Sequence, residues 1–463
     1  MEIVQVNAQD TAGGAERVMM SLDSEFVRRG IGSQVLVGKK QTGAENITEI
    51  TDRSLSRKWS NFWGWVQQAT ARRRWPAIPG FCRALQNLAY PAVLMGFENF
   101  HFPASRRLLT LCSRSPDLVH LHNLHGSYFD LRFLVQLSRE VPVVITLHDA
   151  WLLSGHCAHG VSCERWQTGC GQCPDLKIYP AILRDGTRYN WKRKADIFAH
   201  SKLHIITPCQ WLMNRVQQSM LWPGVVSAEV ICNGVDLNVF RPMAKSECRH
   251  QLGIPDDVKV LMFAANGIRA NPFKDFATLR AALTKIGENA SYPILALAIG
   301  DTPHTEQIGS IELRFVRFQD SPETMARYYN ASDVYAHAAR VDTFPNSVLE
   351  AMACGVPVVA TAVGGIPEQV ASLEGFGTTD GVSQAAATGI LVQPGQSDLL
   401  SAALTRLLDD TALRATLARN ARGLAVKQFG VERQADRYLD YYRRILNPNA
   451  ADLPPVKSGS NHR

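Results

Sequence analysis

Two carboxylates, Asp342 and Glu350, stand with seven residues between them in the stretch DTFPNSVLEAMACGVPVVATAVGGIPE. The loop Val341 to Asn346 leads into a short helix that Gly355 ends, so it delivers backbone amides at a helix N-terminus, a ready place for an anion such as a diphosphate. Phe344, Pro345, Asn346 and Ser347 line that place. Carboxylates beside a phosphate cradle make electrostatic sense when they face neutral groups, and sugar hydroxyls are the natural ones. The plainer reading of Glu350 is a carboxylate that complements a helix dipole.

DLVHLHNLHG (Asp117 to Gly126) and VPVVITLHDAW (Val141 to Trp151) each read as a buried strand with polar residues at its C-terminal end. Ligands of open α/β sheets bind outside such ends, which makes His148 the candidate active-site histidine. His120, His122 and His125 read as structural or acceptor-side groups. Further on, Cys157, Cys163, Cys170 and Cys173 fall within seventeen residues. The closing CxxC suits a metal knuckle, whereas the first pair is spaced more loosely than common zinc sites. In a reducing compartment disulfides are the poorer explanation. A structural zinc is expected, since four thiolates leave no open position for catalysis.

The elements that must carry these groups follow the chain. MEIVQVNAQD reads as a first strand, Gly13 and Gly14 as a turn, and Val18, Leu22 and Phe26 as one face of a helix that Gly30 closes. Adjacent glycines let a backbone approach a phosphate, although the full GxGxxG is absent and a plain tight turn fits equally. Strands are predicted at Leu203 to Pro208, Ile294 to Ile299, Leu313 to Val316 and Val356 to Thr361. VLMFAANGIRANPFKDF (Val260 to Phe276) reads as strand, loop and helix start, with Arg269 and Lys274 in the loop. A last amphipathic helix carries Tyr438, Tyr441, Tyr442 and Ile445, and the composition of residues 448–463 predicts disorder.

With 463 residues, 46% of them apolar and 20% charged, the chain has the composition of a globular protein of two or three domains. Its start lacks the basic flank and long apolar run of a signal peptide, so a cytoplasmic protein is expected. A net charge of +7 suits an anionic partner. Residues 57–97 hold Arg57, Lys58, Arg72, Arg73, Arg74 and Arg83 with Trp59, Trp63, Trp65 and Trp75 interleaved, and no acid. That mixture suits docking on an anionic membrane surface, peripherally on the inner face of the plasma membrane. A solvated helix with inward tryptophans is the alternative, and no nucleic-acid motif accompanies the segment.

GGAERV, NGVD (Asn233 to Asp236), the Arg269 and Lys274 pair and the acidic pair occur in the order in which family 4 retaining glycosyltransferases carry them, and the chain resembles that family over nearly its whole length. The resemblance implies an α/β protein of the GT-B fold, two Rossmann-like domains facing a central cleft. Residues 1–207 would form the acceptor domain and 208–425 the nucleotide-sugar domain, with a helix at 426–447 packing back across the boundary. Glu350 would then hold the nucleotide ribose, and Asp342, where the family usually has Glu, the transferred sugar. His148 would contact the donor sugar, Gly13 and Gly14 would face the donor phosphates and acceptor, and Phe318 would lie in the base-binding turn. Arg269 and Lys274 would neutralise the diphosphate, so no catalytic metal is expected. By the same resemblance the donor is a nucleotide-diphosphate sugar and the acceptor a polyprenyl-diphosphate-linked glycan of exopolysaccharide, capsule or O-antigen biosynthesis. Two rivals stay open: a nucleotide-sugar hydrolase or epimerase of the same fold, and a catalytically silent binding protein.

Overall fold

The computed structural model describes residues 1–447 apart from 12, 52–58, 60, 61, 64, 67, 68, 70–90, 378 and 379. Arg57, Lys58, Arg72, Arg73, Arg74, Arg83 and Trp75 of the basic aromatic segment therefore lie outside the described residues, as does the stretch 448–463.

The first sheet comprises β1 (Glu2–Gln9), β2 (Gly32–Lys39), β3 (Ile47–Glu49), β4 (Leu118–Leu121), β5 (Val143–Thr146), β6 (Leu203–Thr207) and β7 (Val225–Val230). Their order is β3-β2-β1-β4-β5-β6-β7, and every pair is parallel. The second sheet holds β8 (Lys259–Ala264), β9 (Ile294–Ile299), β10 (His304–Ile308), β11 (Ile311–Val316), β12 (Val334–His337), β13 (Val358–Thr361) and β14 (Gly389–Val392). Its order is β10-β11-β9-β8-β12-β13-β14, with only β10 antiparallel to its neighbour. Strands flanked by helices on both faces need apolar side chains on both, and ILALAI in β9, VVIT in β5 and GILV in β14 are buried throughout.

Each sheet reverses its strand order once, between β1 and β4 in the first and between β8 and β12 in the second. Loops leaving the C-terminal ends of such strand pairs splay apart and leave room for a ligand. The first reversal collects Gly13, Gly14, His122, His125 and, from neighbouring β5, His148. The second collects Lys274 and Asp342.

The chain forms two compact units, one of Met1–Thr207, Leu212–Val230 and Leu439 onward, the other of Pro208–Trp211 and Ile231–Tyr438. The expected boundary at 207/208 thus moves to Val230, because β7, unforeseen in the sequence, continues the first sheet by pairing with β6. Helix Val431–Leu446 contributes its second half to the first unit. There the Tyr441 hydroxyl lies 2.6 Å from Ser227 Oγ, and the Tyr442 hydroxyl 2.7 Å from His120 Nδ1, with its ring against Phe26. Among the described residues no helix is long and apolar enough to cross a membrane.

Candidate active site

In the second unit, two loops meet. One runs from β8 to helix Phe276–Asn289, whose N-cap Asp275 accepts from Thr278 N–H, and the other runs from β12 to helix Asn346–Ala353. Their backbones are laced together: Asp275 N–H donates to Ala338 O at 3.1 Å and Arg340 N–H to Phe273 O at 2.9 Å. This lacing brings Lys274 Nζ to 2.5 Å from Asp342 Oδ2. His337, the last residue of β12, puts Nε2 3.2 Å from Lys274 Nζ and 3.1 Å from Asp342 Oδ2. Burial opposes ionisation of Asp342, but the Lys274 ammonium outweighs it and holds the carboxyl well below its usual range. Asp342, expected to hold a sugar, is therefore already paired with the cation expected to hold phosphate.

The turn after β13 buttresses this loop. Gly365 N–H donates to Thr343 O at 3.0 Å, and Gly364 has φ +58° with the place of a Cβ only 1.7 Å from Asp342 O. A side chain there would meet backbone oxygen in a conformation that costs L-residues about 1–2 kcal/mol. Gly364→Ala is expected to lower the melting temperature and to displace Asp342, weakening affinity in the same variant for the nucleotide sugar that the resemblance implies. Thermal melts and titration calorimetry check both, and an unchanged affinity would show that the turn does not position the acid.

Glu350 is 6% exposed, and its Oε2 accepts a hydrogen bond from the Tyr329 hydroxyl at 2.9 Å. Burial first, and the Glu350 charge next, push the Tyr329 phenol well above its ordinary pKa, so it remains a donor. Of the expected lining, Phe344 is core, 4% exposed with its ring against Phe429. Pro345 O accepts from Gln369 Nε2 at 3.1 Å, Asn346 Oδ1 from Asn233 Nδ2 at 3.0 Å, and Ser347 bonds the Tyr335 phenol. These residues shape the loop; Asn233, the asparagine of NGVD, is one of its ties.

Arg269 takes a different partner from Lys274. Its Nη2 lies 2.9 Å from Asp301 Oδ1, its backbone N–H donates to Asp301 Oδ2 at 2.9 Å, and its guanidinium lies over the Phe315 ring. That hydrogen-bonded guanidinium holds Asp301 at about 2. The two cations expected to share a diphosphate are therefore not paired with a common group. Phe315 is buried beneath Arg269, and Phe318 is exposed.

In the first unit, His148 leaves β5 with Nε2 3.0 Å from His122 Nδ1 and the two rings stacked. Burial lowers His148 to about 4, against the pull of Asp149. Asp149 accepts from Trp151 N–H at 2.9 Å and lies 2.8 Å from His125 Nε2. It is held at about 2, because His125 outweighs the cost of its burial. His125 is raised: burial alone would lower it, but Asp149 and then Glu16 favour the imidazolium.

Glu16, in the first turn of helix Gly14–Arg28, folds back so that a Cβ on Gly13 would meet its Oε2 at 2.1 Å. The space beside Gly13 expected to face phosphate thus holds a carboxylate, whose pKa burial raises. Two acidic side chains beside one imidazole disfavour an anion and suit hydroxyl groups. The loop is fixed from behind by fully buried Lys194, whose Nζ donates to Trp151 O and Ser154 O, each at 3.1 Å, and pairs with Glu98.

The four cysteines and His156 line one pocket. Gly155 N–H donates to Cys170 Sγ at 3.3 Å, and His156 Nε2 lies 3.3 Å from Cys173 Sγ. Yet among the described residues no three His, Cys, Asp or Glu side chains stand so as to hold a metal ion, and all four cysteines are free thiols. The tetrathiolate site expected from Cys157, Cys163, Cys170 and Cys173 is not assembled in this structure. Burial lifts the Cys157 and Cys173 thiols and takes Cys170 to about 12.

His337, Tyr329, Asp149, Glu16 and Lys194 were missed as site residues, whereas His125 was read as a structural or acceptor-side group. Asp149 carried a signal, since it follows His148 outside the same strand end. Lys194 carried none, because its partners lie about forty or more residues away in sequence.

Comparison with known proteins bears on both units. The family description "Glycosyltransferase Family 4" matches residues 12–239, and "Glycosyl transferases group 1" matches residues 245–424. The putative colanic acid biosynthesis glycosyl transferase WcaC of Escherichia coli is 23% identical over 380 residues, covering 78% of this chain and 83% of that protein. D-inositol 3-phosphate glycosyltransferase 1 of Catenulispora acidiphila is 30% identical over 357 residues, 71% of this chain and 72% of its own. The corresponding protein of Kineococcus radiotolerans is matched over only 53% of its length. Among solved structures, Anabaena HepE in complex with UDP and glucose superposes with a TM-score of 0.61 at 18% identity, over 96% of this chain and 99% of that one. WaaG, a glycosyltransferase involved in lipopolysaccharide biosynthesis, gives 0.57 at 15% identity, over 95% and 99%. These likenesses identify the fold as GT-B.

Proposed function

The chain belongs to the family 4 glycosyltransferases, and from that premise we propose that it transfers a sugar from a nucleotide-diphosphate sugar to a glycan hydroxyl with retention at the anomeric carbon. The observation that carries this reading is the Lys274, His337 and Asp342 cluster at the strand-order reversal of the second sheet, with Glu350 eight residues on. Lys274 reaches the diphosphate and Asp342 the hydroxyls of the transferred sugar, while Tyr329 orients Glu350 toward the ribose. The bond from the anomeric carbon to the phosphate oxygen breaks and the bond to the acceptor oxygen forms on the same face. The acceptor proton passes to the departing phosphate oxygen, whose charge Lys274 stabilises. The HepE complexes with UDP and UDP-glucose favour a uridine nucleotide, and the likeness to WcaC favours a polysaccharide acceptor. We also propose that this acceptor is lipid-linked and that residues 57–97 dock on anionic membrane, a reading that rests on their sequence.

The test is transfer of radiolabelled sugar from a panel of nucleotide sugars, with product stereochemistry read by NMR. Inversion, or turnover to free sugar alone, would replace the proposal. In the same assay Glu350→Gln is expected to raise the donor KM about tenfold with a smaller loss of kcat, because the ribose is held alike in ground and transition states. A selective fall in kcat would instead place Glu350 at the reacting centre.

A further inference from the structure

The His337 imidazole is 3% exposed, and three groups face it. Lys274 Nζ and Asp342 Oδ2 both approach Nε2, at 3.2 and 3.1 Å, while the Tyr335 hydroxyl lies 3.2 Å from Nδ1. One ring nitrogen cannot serve both partners at once. To accept from the ammonium Nε2 must be bare, and to donate to Asp342 it must carry a proton. The Tyr335 hydroxyl can answer either state, accepting from Nδ1–H in the first and donating to bare Nδ1 in the second. The strand end that carries the ring is anchored by the Thr361 hydroxyl, which accepts from Ala339 N–H at 2.9 Å and donates to Ala339 O at 2.8 Å.

This geometry gives His337 two neutral forms in one position, selected by where Lys274 stands. While Lys274 pairs with Asp342, the ammonium supplies the donor and Nε2 is bare. When Lys274 turns to a diphosphate, Asp342 loses its partner, and a four-fifths-buried carboxylate left uncompensated is costly. Moving the ring proton from Nδ1 to Nε2, with the reverse exchange at Tyr335, gives that carboxylate a donor without any change in net charge. We propose that His337 is a positioning residue that keeps Asp342 aimed at the donor sugar by switching tautomer when Lys274 leaves Asp342 for the diphosphate. The functional part rests on the nucleotide-sugar reading above; the tautomer switch does not.

The switch is therefore tested without any nucleotide, by long-range proton–nitrogen NMR of imidazole-labelled protein, with His337 assigned from the signals lost in His337→Gln. Wild-type protein is expected to show a bare Nε2 and a protonated Nδ1, and Lys274→Met the reverse. A protonated Nε2 in the wild type, or an unchanged pattern in Lys274→Met, overturns the proposal whatever the protein's substrate. Transfer kinetics then test the role. His337→Leu is expected to lower kcat about tenfold with the donor KM within about twofold, and His337→Gln, which offers an N–H near the place of Nε2, to recover most of the loss. Equal damage in both variants would mark His337 as packing only.

Discussion

Lys274→Ala is expected to lower kcat by about a hundredfold or more while the donor KM moves far less. The argument is one of timing. Before the glycosidic bond breaks, the diphosphate is partly neutral at the bridging oxygen, and as the sugar departs that oxygen takes up charge. A fixed ammonium therefore gains most in the transition state. Lys274 is well placed for this, because backbone hydrogen bonds between its loop and that of Asp342 hold it at the strand-order reversal. Arg269 is paired with Asp301 in the observed arrangement and not with Asp342. The same substitution strips Asp342 of its nearest cation, so its carboxyl pKa should rise toward the ordinary range and the acidic limb of the pH–rate profile should move to higher pH. Turnover in chelator should match turnover with added magnesium, since Lys274 supplies the positive charge. Steady-state kinetics of both proteins, with and without magnesium, decide the matter; an unchanged kcat in Lys274→Ala, or strict magnesium dependence, would remove this mechanism.

The first unit should lose stability steeply as pH falls from 7 toward 4. His120 is lowered to about 3 by burial and then by His148, and His148 and His204 are lowered to about 4, each mainly by burial. His122 is lowered as well. In the unfolded chain each titrates near 6.5, so below that value the unfolded state binds protons that the native state refuses. Each such histidine withdraws up to about 1.4 kcal/mol per pH unit, which several together make a large share of a domain's ~5–15 kcal/mol. His125 does not offset this loss. Its native pKa is raised, so its contribution is complete below 6.5 and is lost only as pH rises through the native value. Asp149, held at about 2, begins to matter only below its ordinary 3.8. Calorimetric melts at stepped pH should show the unfolding midpoint falling below pH 6.5, with a shallower slope in His204→Gln. A midpoint constant between pH 7 and 5 would mean that these rings are not buried neutral.

Most of the architecture could be read from periodicity, because parallel strands such as β9 and β13 are short apolar runs and their helices carry one-sided apolar stripes. β7 escaped because VVSAEV is only partly buried and does not stand out as an apolar run. At the sites, residue types were legible and pairings were not. Asp342 and Lys274 were both singled out, yet that they bind each other depends on lacing between loops sixty-eight residues apart. His337 ends an otherwise apolar strand, where a histidine looks like a satisfied core group until its neighbours are known. Phe344 was read as lining from its place in the loop, and it proves to be core because Phe429, far along the chain, covers it.

The return of helix Val431–Leu446 to the first unit has a consequence for how the protein is made. Tyr441 and Tyr442 complete buried hydrogen bonds to Ser227 and His120, but they are translated after all of Ile231–Tyr438. At ~5–20 residues per second the ribosome takes roughly ten to forty seconds over that intervening stretch. For most of that interval β4 and β7 stand outside the tunnel before Tyr441 and Tyr442 exist to bond Ser227 and His120. The first unit is thus begun before the second and completed after it, and nascent chains should spend that time as the species that chaperones and proteases see.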